Sequence, residues 1–481
     1  MGTQQFTTPD VYAVNSGTAI SERAKETQLL CTMIGETALG TKSEVERVTS
    51  FNEYTDKFCI LGRVFEKPLD YQVYQFYTNV GKGFPLDIIK VSGAPNYALS
   101  IANVGDGNTT NLVFQSLVPG EEGNKLSITS ASVDSEPNIF NLTITLNGDT
   151  METHKVSTQA LDTNYFVSYL NDNSKYVSVK ENGNLLAGTY TFSGGVNETP
   201  ATLEDYKEAI ERLDEDEHTY FASIDAQDKD ILNAFNERCQ LKGIIPILST
   251  GEETTEKDKE RCTELKTFMG DSALSSPYVI IVDPEDSSST LIIPNYGTIL
   301  GLYANWYSKH KIHESPGGTD AVLKGVVGLS RKMTKDKDVS VLNVENVNCI
   351  VNDKQYGVLL WGVRNLQGDK DKRFKYLSDL VLNRYIHFEL QKELTSLIFK
   401  PGEDIMSLVN INATGFMSTL FEQGALKGNS ESEAYKVVCD DSNNDDSTSE
   451  QGVVIVDIYY AAKKPGEFIL IRLNVQNETI G

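Results

Sequence analysis

The sequence predicts a multidomain chain of α/β and α+β units, with an inserted all-β domain and extended terminal β-arms. Three observations carry this. After Pro200, apolar strand-like runs alternate with helical segments, the pattern of a mixed sheet covered by helices. Between Gly105 and about Pro200, Gly, Asn, Thr and Ser become dense and short alternating runs appear, as in an all-β module. From Gly452 to Gly481 the chain holds two strand-like runs, and the second finishes almost at the end. A chain of 481 residues is too long for one core. The expected division is an amino-terminal arm (1–23), an α/β domain in two parts (24–104 and 201–345) around the insertion (105–200), an α+β domain (346–462) and a carboxyl-terminal arm (463–481).

Taken in order, Val11, Tyr12, Ala13 and Val14 form a short β-prone piece behind a polar lead. Residues 29–34 are a compact apolar run that ends at Gly35, read as a buried strand. Ser50 and Glu53 have capping-box spacing and start a short helix. A helix over 71–80 and a strand over 85–91 follow. In the insertion, 125–129, 140–146 and 175–179 read as strands, and Asn147-Gly148 and Asn182-Gly183 as turns. Thr202 and Asp205 cap a helix reaching Leu213, after which strands at 220–224, 244–248 and 277–282 are separated by helices at 228–243 and 256–268. From Val347, strands at 349–351 and 358–361 precede helices near 376–397 and 405–423, and 439–450 is a solvated acidic loop.

The closing runs are 453–460 and 467–476, joined by the turn Lys463-Lys464-Pro465-Gly466. In the second run Ile469, Ile471, Leu473 and Val475 alternate with Leu470, Arg472, Asn474 and Gln476, a strand buried on one face. A terminal strand must find partners for its backbone groups, or its edge recruits another chain. Two such ends predict a subunit that assembles.

The net charge of −25, from 43 basic and 68 acidic residues, argues against general nucleic-acid binding and against adhesion to anionic membranes. Six scattered cysteines without a CxxC pair read as reduced, mostly buried thiols. The opening Met1-Gly-Thr-Gln-Gln lacks the basic start and apolar stretch of a secretory leader.

Motifs for catalysis are weak. Gly35-Glu-Thr-Ala-Leu-Gly40-Thr41-Lys42 nearly matches the phosphate loop GxxxxGK[ST], but Lys and Thr stand in the wrong order. The alternatives are a strand-to-loop turn, which that order favours, and a nucleotide site in an α/β enzyme built on 24–345. Asp440 to Asp446 alternates carboxylates and amides like a calcium loop, yet lacks the Gly at position six and has Gln451 at position twelve. His310 and His313 have the i, i+3 spacing that a helix would put on one face, with no Cys or carboxylate pair at a familiar metal spacing. No GxSxG, HExxH or GxGxxG appears. The expectation is a non-enzymatic chain with no cofactor and no metal.

From about Ile299 to Val475 the chain resembles the contractile tail sheath proteins of phages and related injection machines. Gly301-Leu-Tyr-Ala304, Leu342-Asn343 with Val347-Asn348, Trp361-Gly-Val-Arg364-Asn-Leu366, Gly424-Ala-Leu426-Lys-Gly428 and Pro465-Gly-Glu467-Phe-Ile follow the family's strings in order, and Pro9-Asp-Val-Tyr12 resembles its amino-terminal string. Asp10 stands where the family has Gly, and Asn365 where it has Thr.

The resemblance implies a mixed-sheet sheath core, with subunits in six-membered rings stacked helically around a tail tube. Terminal arms would add strands to a sheet in a neighbour, through Val11, Tyr12, Ala13 and Val14 at one end and Phe468, Ile469, Leu470, Ile471, Arg472, Leu473 and Val475 at the other. Other implied partners are the tube, baseplate and tail terminator proteins, with no nucleic acid and no membrane. The implied place is the virion tail, assembled in the host cytoplasm. A helix faces the tube in the family, and its best match gives Thr414, Ser418, Glu422 and Lys427. Lys372 and Arg373 join them because 360–400 is locally basic in an acidic chain, although a solvated helix face would read the same.

Overall fold

The computed structural model describes residues 30–40, 42–59, 64–91, 97–103, 111–134, 136–197, 200–213, 219–251, 253–368, 370–399, 405–445 and 452–467. The arm residues Val11, Tyr12, Ala13 and Val14, and Phe468 through Val475, lie outside the described residues. The chain divides into two compact units. One combines Met1–Cys31, Asp216–Ala222 and Asn236–Gly481, and the other Thr32–Glu215 and Ser223–Phe235.

In the second of these, strand Leu86–Lys90 lies between Leu30–Gly35 and Val45–Val48. Arg47 and Asp87 stand opposite each other in the antiparallel pair, joined by a fork of 2.8 and 3.0 Å. Helix Phe51–Phe58 starts where the capping box predicts it, with Ser50 accepting from the Glu53 amide at 3.2 Å. Helix Leu203–Glu211 opens on Thr202 and Asp205 in a reciprocal box.

The same unit holds a seven-stranded antiparallel sheet in the order Asp149–Ser157, Glu136–Leu146, Leu126–Val133, Gly188–Ser193, Tyr97–Asn103, Val113–Pro119, Val177–Glu181. Its inward residues form one core that includes Phe114, Ile128, Leu142, Ile144 and Tyr190. This differs from the expected range in two ways. The sheet takes in Tyr97–Asn103, ahead of Gly105, and it carries a helix, Phe166–Asn173. Phe166 and Leu170, four apart, dock that short helix on the core, so the stretch is not all-β.

In the other unit, strands Thr219–Ile224, Ile245–Ser249, Ala273–Ser276 and Asn348–Asp353 pair in parallel, and Gly357–Trp361 closes antiparallel on the last. The first three are buried at every position, as parallel strands covered on both faces must be. Helix Tyr296–Tyr307 is almost wholly buried, and its Tyr303 and Tyr307 rings meet Phe221 at 5.6 and 5.9 Å. The expected strand 277–282 is corrected. Pro277 separates Ala273–Ser276 in the large sheet from Val279–Val282, which pairs with Thr290–Ile293 and Val326–Leu329 in a three-stranded antiparallel sheet. Proline cannot donate to a ladder, so it falls at the change of sheet.

Helices Leu377–Thr395 and Ile405–Glu422 pack through Leu382, Ile386, Ala413, Met417 and Leu420, with Leu426 and Tyr435 in the same core. All six cysteines are buried. Among the described residues no helix is long and apolar enough to cross a membrane.

A candidate assembly site at the carboxyl-terminal segment

The last described strand is Asp457–Tyr460, shorter than the expected 453–460. It pairs antiparallel with Tyr435–Val438, in the register Tyr435↔Tyr460 to Val438↔Asp457. Its described partner is therefore 435–438, and the final run beyond Glu467 lies outside the described residues. Among the described residues no third strand joins this sheet. Tyr459 is 61% exposed on it.

The hairpin behind the sheet is held by amides. The Asn443 side chain donates to Val438 O and Asp457 Oδ2, both at 2.9 Å, and Asn444 exchanges bonds with Ile455 at 2.6 and 2.9 Å. Asp440 Oδ1 is occupied by the Ser442 amide and hydroxyl. The calcium-like alternation thus builds a turn, and among the described residues no three His, Cys, Asp or Glu come together as a metal group.

Beyond Tyr460 the chain is tied at successive positions. The Ala461 amide donates to Ala434 O at 3.0 Å, the Lys427 amide to Ala461 O at 2.7 Å and the Lys463 amide to Ala425 O at 3.1 Å. Lys464 Nζ donates to Lys372 O at 2.5 Å and stands 3.7 Å from the Asp379 carboxylate. Burial pushes that carboxyl up to about 6, against the pull of Lys464.

Glu467 takes Arg364 Nε and Nη2 at 2.7 and 2.8 Å, the Tyr376 hydroxyl at 3.0 Å and Lys375 Nζ at 3.3 Å. Burial disfavours its charge, but these donors win and hold the carboxyl below the usual range. Arg364 is itself fixed. Its amide donates to Asn348 Oδ1 at 2.6 Å, its carbonyl accepts from Asn348 Nδ2 at 2.9 Å, and Nη1 donates to Asn343 O. Gly362 beside it leaves no room for a Cβ, which would come within 2.9 Å of Asn348 Cα.

The sequence alone does not reveal the partner of Arg364. The only signal was that Arg364 and Glu467 each sit in a string of the sheath resemblance.

On helix Ile405–Glu422 the buried stripe is Val409, Ala413, Met417 and Leu420. Thr414, Ser418 and Glu422 fall on the opposite stripe, four residues apart. Ser418 donates to Glu431 at 2.6 Å, Thr414 to Asn410 at 3.3 Å, and Glu422 is exposed. Leu408 and Ile411 are also exposed there, so this face is less polar than the side chains chosen from sequence imply. Lys427 is exposed past the helix end. Lys372 and Arg373 are exposed on another segment, where Arg373 forks onto Asp371 at 2.8 and 3.1 Å.

The phosphate-loop look-alike is built for a cation. Thr37 O and Leu39 O accept from the buried Lys90 ammonium at 2.7 and 3.2 Å, so the loop points carbonyls where a phosphate would need N–H groups. Lys42 is held by Asp205 and Glu208 at 2.7 and 2.9 Å. His310 stacks on Trp306 at 3.9 Å and bonds Glu314 at 3.0 Å, while half-buried His313 has its pKa lowered by burial.

Solved structures similar to this chain include contractile sheath proteins. The sheath tail protein of Desulfitobacterium hafniense superposes with a TM-score of 0.60 at 14% identity, over 87% of this chain and 92% of that one. The chain carries the tail sheath fold. The sheath tail protein of Listeria innocua gives 0.57 at 11% identity, over 92% and 96%. The contracted sheath complex of an extracellular contractile injection system gives 0.59 at 15% identity, over 99% of both chains. No protein-family model and no curated protein matches the chain.

Proposed function

We propose that this chain is the structural protomer of a contractile tail sheath. In this reading it polymerises as stacked hexameric rings around a tail tube, then contracts from a metastable extended packing to drive the tube through a host envelope for genome delivery. The carrying observation is a two-stranded sheet, Tyr435–Val438 with Asp457–Tyr460, which has no third strand among the described residues in a chain with the sheath fold. Such a sheet is completed by strand addition, which supplies main-chain bonds while alternate side chains fill pockets. The strands added are the segments of Val11 to Val14 and of Phe468 to Val475, from neighbouring copies.

Contraction on this reading is driven by better packing between subunits. A few kcal/mol per subunit, summed over on the order of a hundred copies, suffices for mechanical work. The tube contacts are Thr414, Ser418, Glu422 and Lys427, with Lys372 and Arg373 as an electrostatic contact, and baseplate and terminator proteins cap the ends. A second reading, the sheath of an injection device that delivers no genome, is favoured by the end-to-end match to the injection-system sheath.

The test is negative-stain microscopy of the expressed chain beside a truncation that ends at Glu467. The full chain forms tubes, and the truncated chain stays folded without forming them. Normal tubes from the truncation would overturn the strand-exchange reading.

A further inference from the structure

We infer that residues 463–467 are a fixed root for the carboxyl-terminal arm, and that Arg364 and Asp379 are positioning residues that set where the arm leaves its own protomer. The inference rests on the assembly reading above and deepens it. A run of Lys-Lys-Pro-Gly between two strands invites description as a slack linker. The contacts say otherwise. Lys463 is tied through its amide to Ala425, Lys464 through its ammonium to Lys372 and Asp379, and Glu467 through its carboxylate to Arg364, Lys375 and Tyr376.

The two charged anchors are of opposite polarity, a cation of the root on a carboxylate of the body and a carboxylate of the root on cations of the body. Such a pair fixes direction as well as position, because shifting the root by one residue would face Lys464 and Glu467 with the wrong partners. The Arg364 and Glu467 side chains are only 9% and 14% exposed, so they do not form a screened surface contact. The receptor is also prepared from the body side. Asn348 clasps the Arg364 backbone at both its N–H and its C=O, Asn343 takes a third guanidinium N–H, and Gly362 allows the close approach. A strand that must reach a neighbour gains most when its point of departure costs no further ordering.

The experiment compares the full-length chain with Glu467→Gln, Glu467→Ala and Lys464→Gln, by hydrogen exchange on unassembled protein and by pelleting and microscopy of tubes. The expected result is that all three variants stay folded, with a lower melting temperature in the Glu467 variants because Arg364 is left buried without its carboxylate. Amides of 461–467 should exchange at least tenfold faster, and the concentration needed for tubes should rise at least tenfold. Unchanged exchange in all three variants overturns the fixed root. Faster exchange with tubes at the parent's concentration overturns the positioning role. If the parent itself makes no tubes, the assembly reading falls and the positioning role falls with it, whereas the exchange data still decide whether the root is fixed. Should Glu467→Ala unfold, the near-isosteric Glu467→Gln carries the same comparison.

Discussion

Within the seven-stranded sheet, strand Leu126–Val133 is laddered on both sides, against Glu136–Leu146 over eight registered positions and against Gly188–Ser193 over four. Its inward Leu126 and Ile128 are buried in a core drawn from the same stretch of chain. In the carboxyl-terminal sheet each strand has four registered positions and one described partner, and Tyr459 faces out. Leu126–Val133 finishes its hydrogen bonding and burial within its own stretch of chain, while Asp149–Ser157 and Val177–Glu181, at the two ends of that sheet, each have one described partner. The second sheet has a core behind it, through Leu426 and Tyr435, but among the described residues its ladder stops at two strands. The first has seven described strands around one core, the second only two, and the proposed strand addition concerns the second alone.

The sharpest way to break that comparison is Phe114→Ala. Phe114 is fully buried and meets Tyr190 edge-on at 5.1 Å, so the truncation should cost about 3–5 kcal/mol. Denaturation followed by near-UV dichroism should show the loss while tube formation persists. Loss of tubes from a still-folded variant would mean the two regions are not independent.

A smaller effect is expected at Asp379. Its carboxyl titrates at about 6 when folded, above the ordinary 3.8, so the folded state holds the proton more tightly. The cost of its charge is absent below about pH 4 and fully present above about pH 6, and stability falls as pH rises between them. Lys464 faces it, with Tyr460 and Asp371 close enough to feel the same charges. Asp379→Asn should therefore stabilise the monomer at neutral pH by on the order of 1–2 kcal/mol and leave it unchanged near pH 4. Urea titrations at several pH values would read this. A variant equally stable at every pH would remove the cost assigned to the site.

The smallest effect on the monomer is expected from Tyr459→Ser, within about 0.5 kcal/mol because the ring is mostly in solvent. If the open sheet is a joining surface, the same change weakens tubes. Sedimentation at graded concentrations separates the two outcomes.

Local signals were readable in the sequence where one short-range rule governs. Ser50 and Glu53, or Thr202 and Asp205, announce helix starts because capping needs only neighbours. The parallel strands were legible because burial on both faces demands unbroken apolar runs. Phe166–Asn173 was not, since two apolar residues four apart make too short a pattern until a sheet lies beneath them. The strand read at 277–282 was misplaced and Ala273–Ser276 was missed, because both stretches are β-prone and only the fold decides which sheet each joins. The Arg364–Glu467 fork was out of reach, for its members are 103 residues apart and no periodicity links them.

The amide clasp of Asn443 and Asn444 on residues 455 and 457 has a practical consequence. It ties together the described residues on either side of 446–451. Lengthening a loop whose ends are already held adds only a slowly growing entropic cost. A reporter peptide or affinity tag spliced between 445 and 452 should leave the flanking turn standing, giving an experimental handle on the protein without touching the strands Tyr435–Val438 and Asp457–Tyr460.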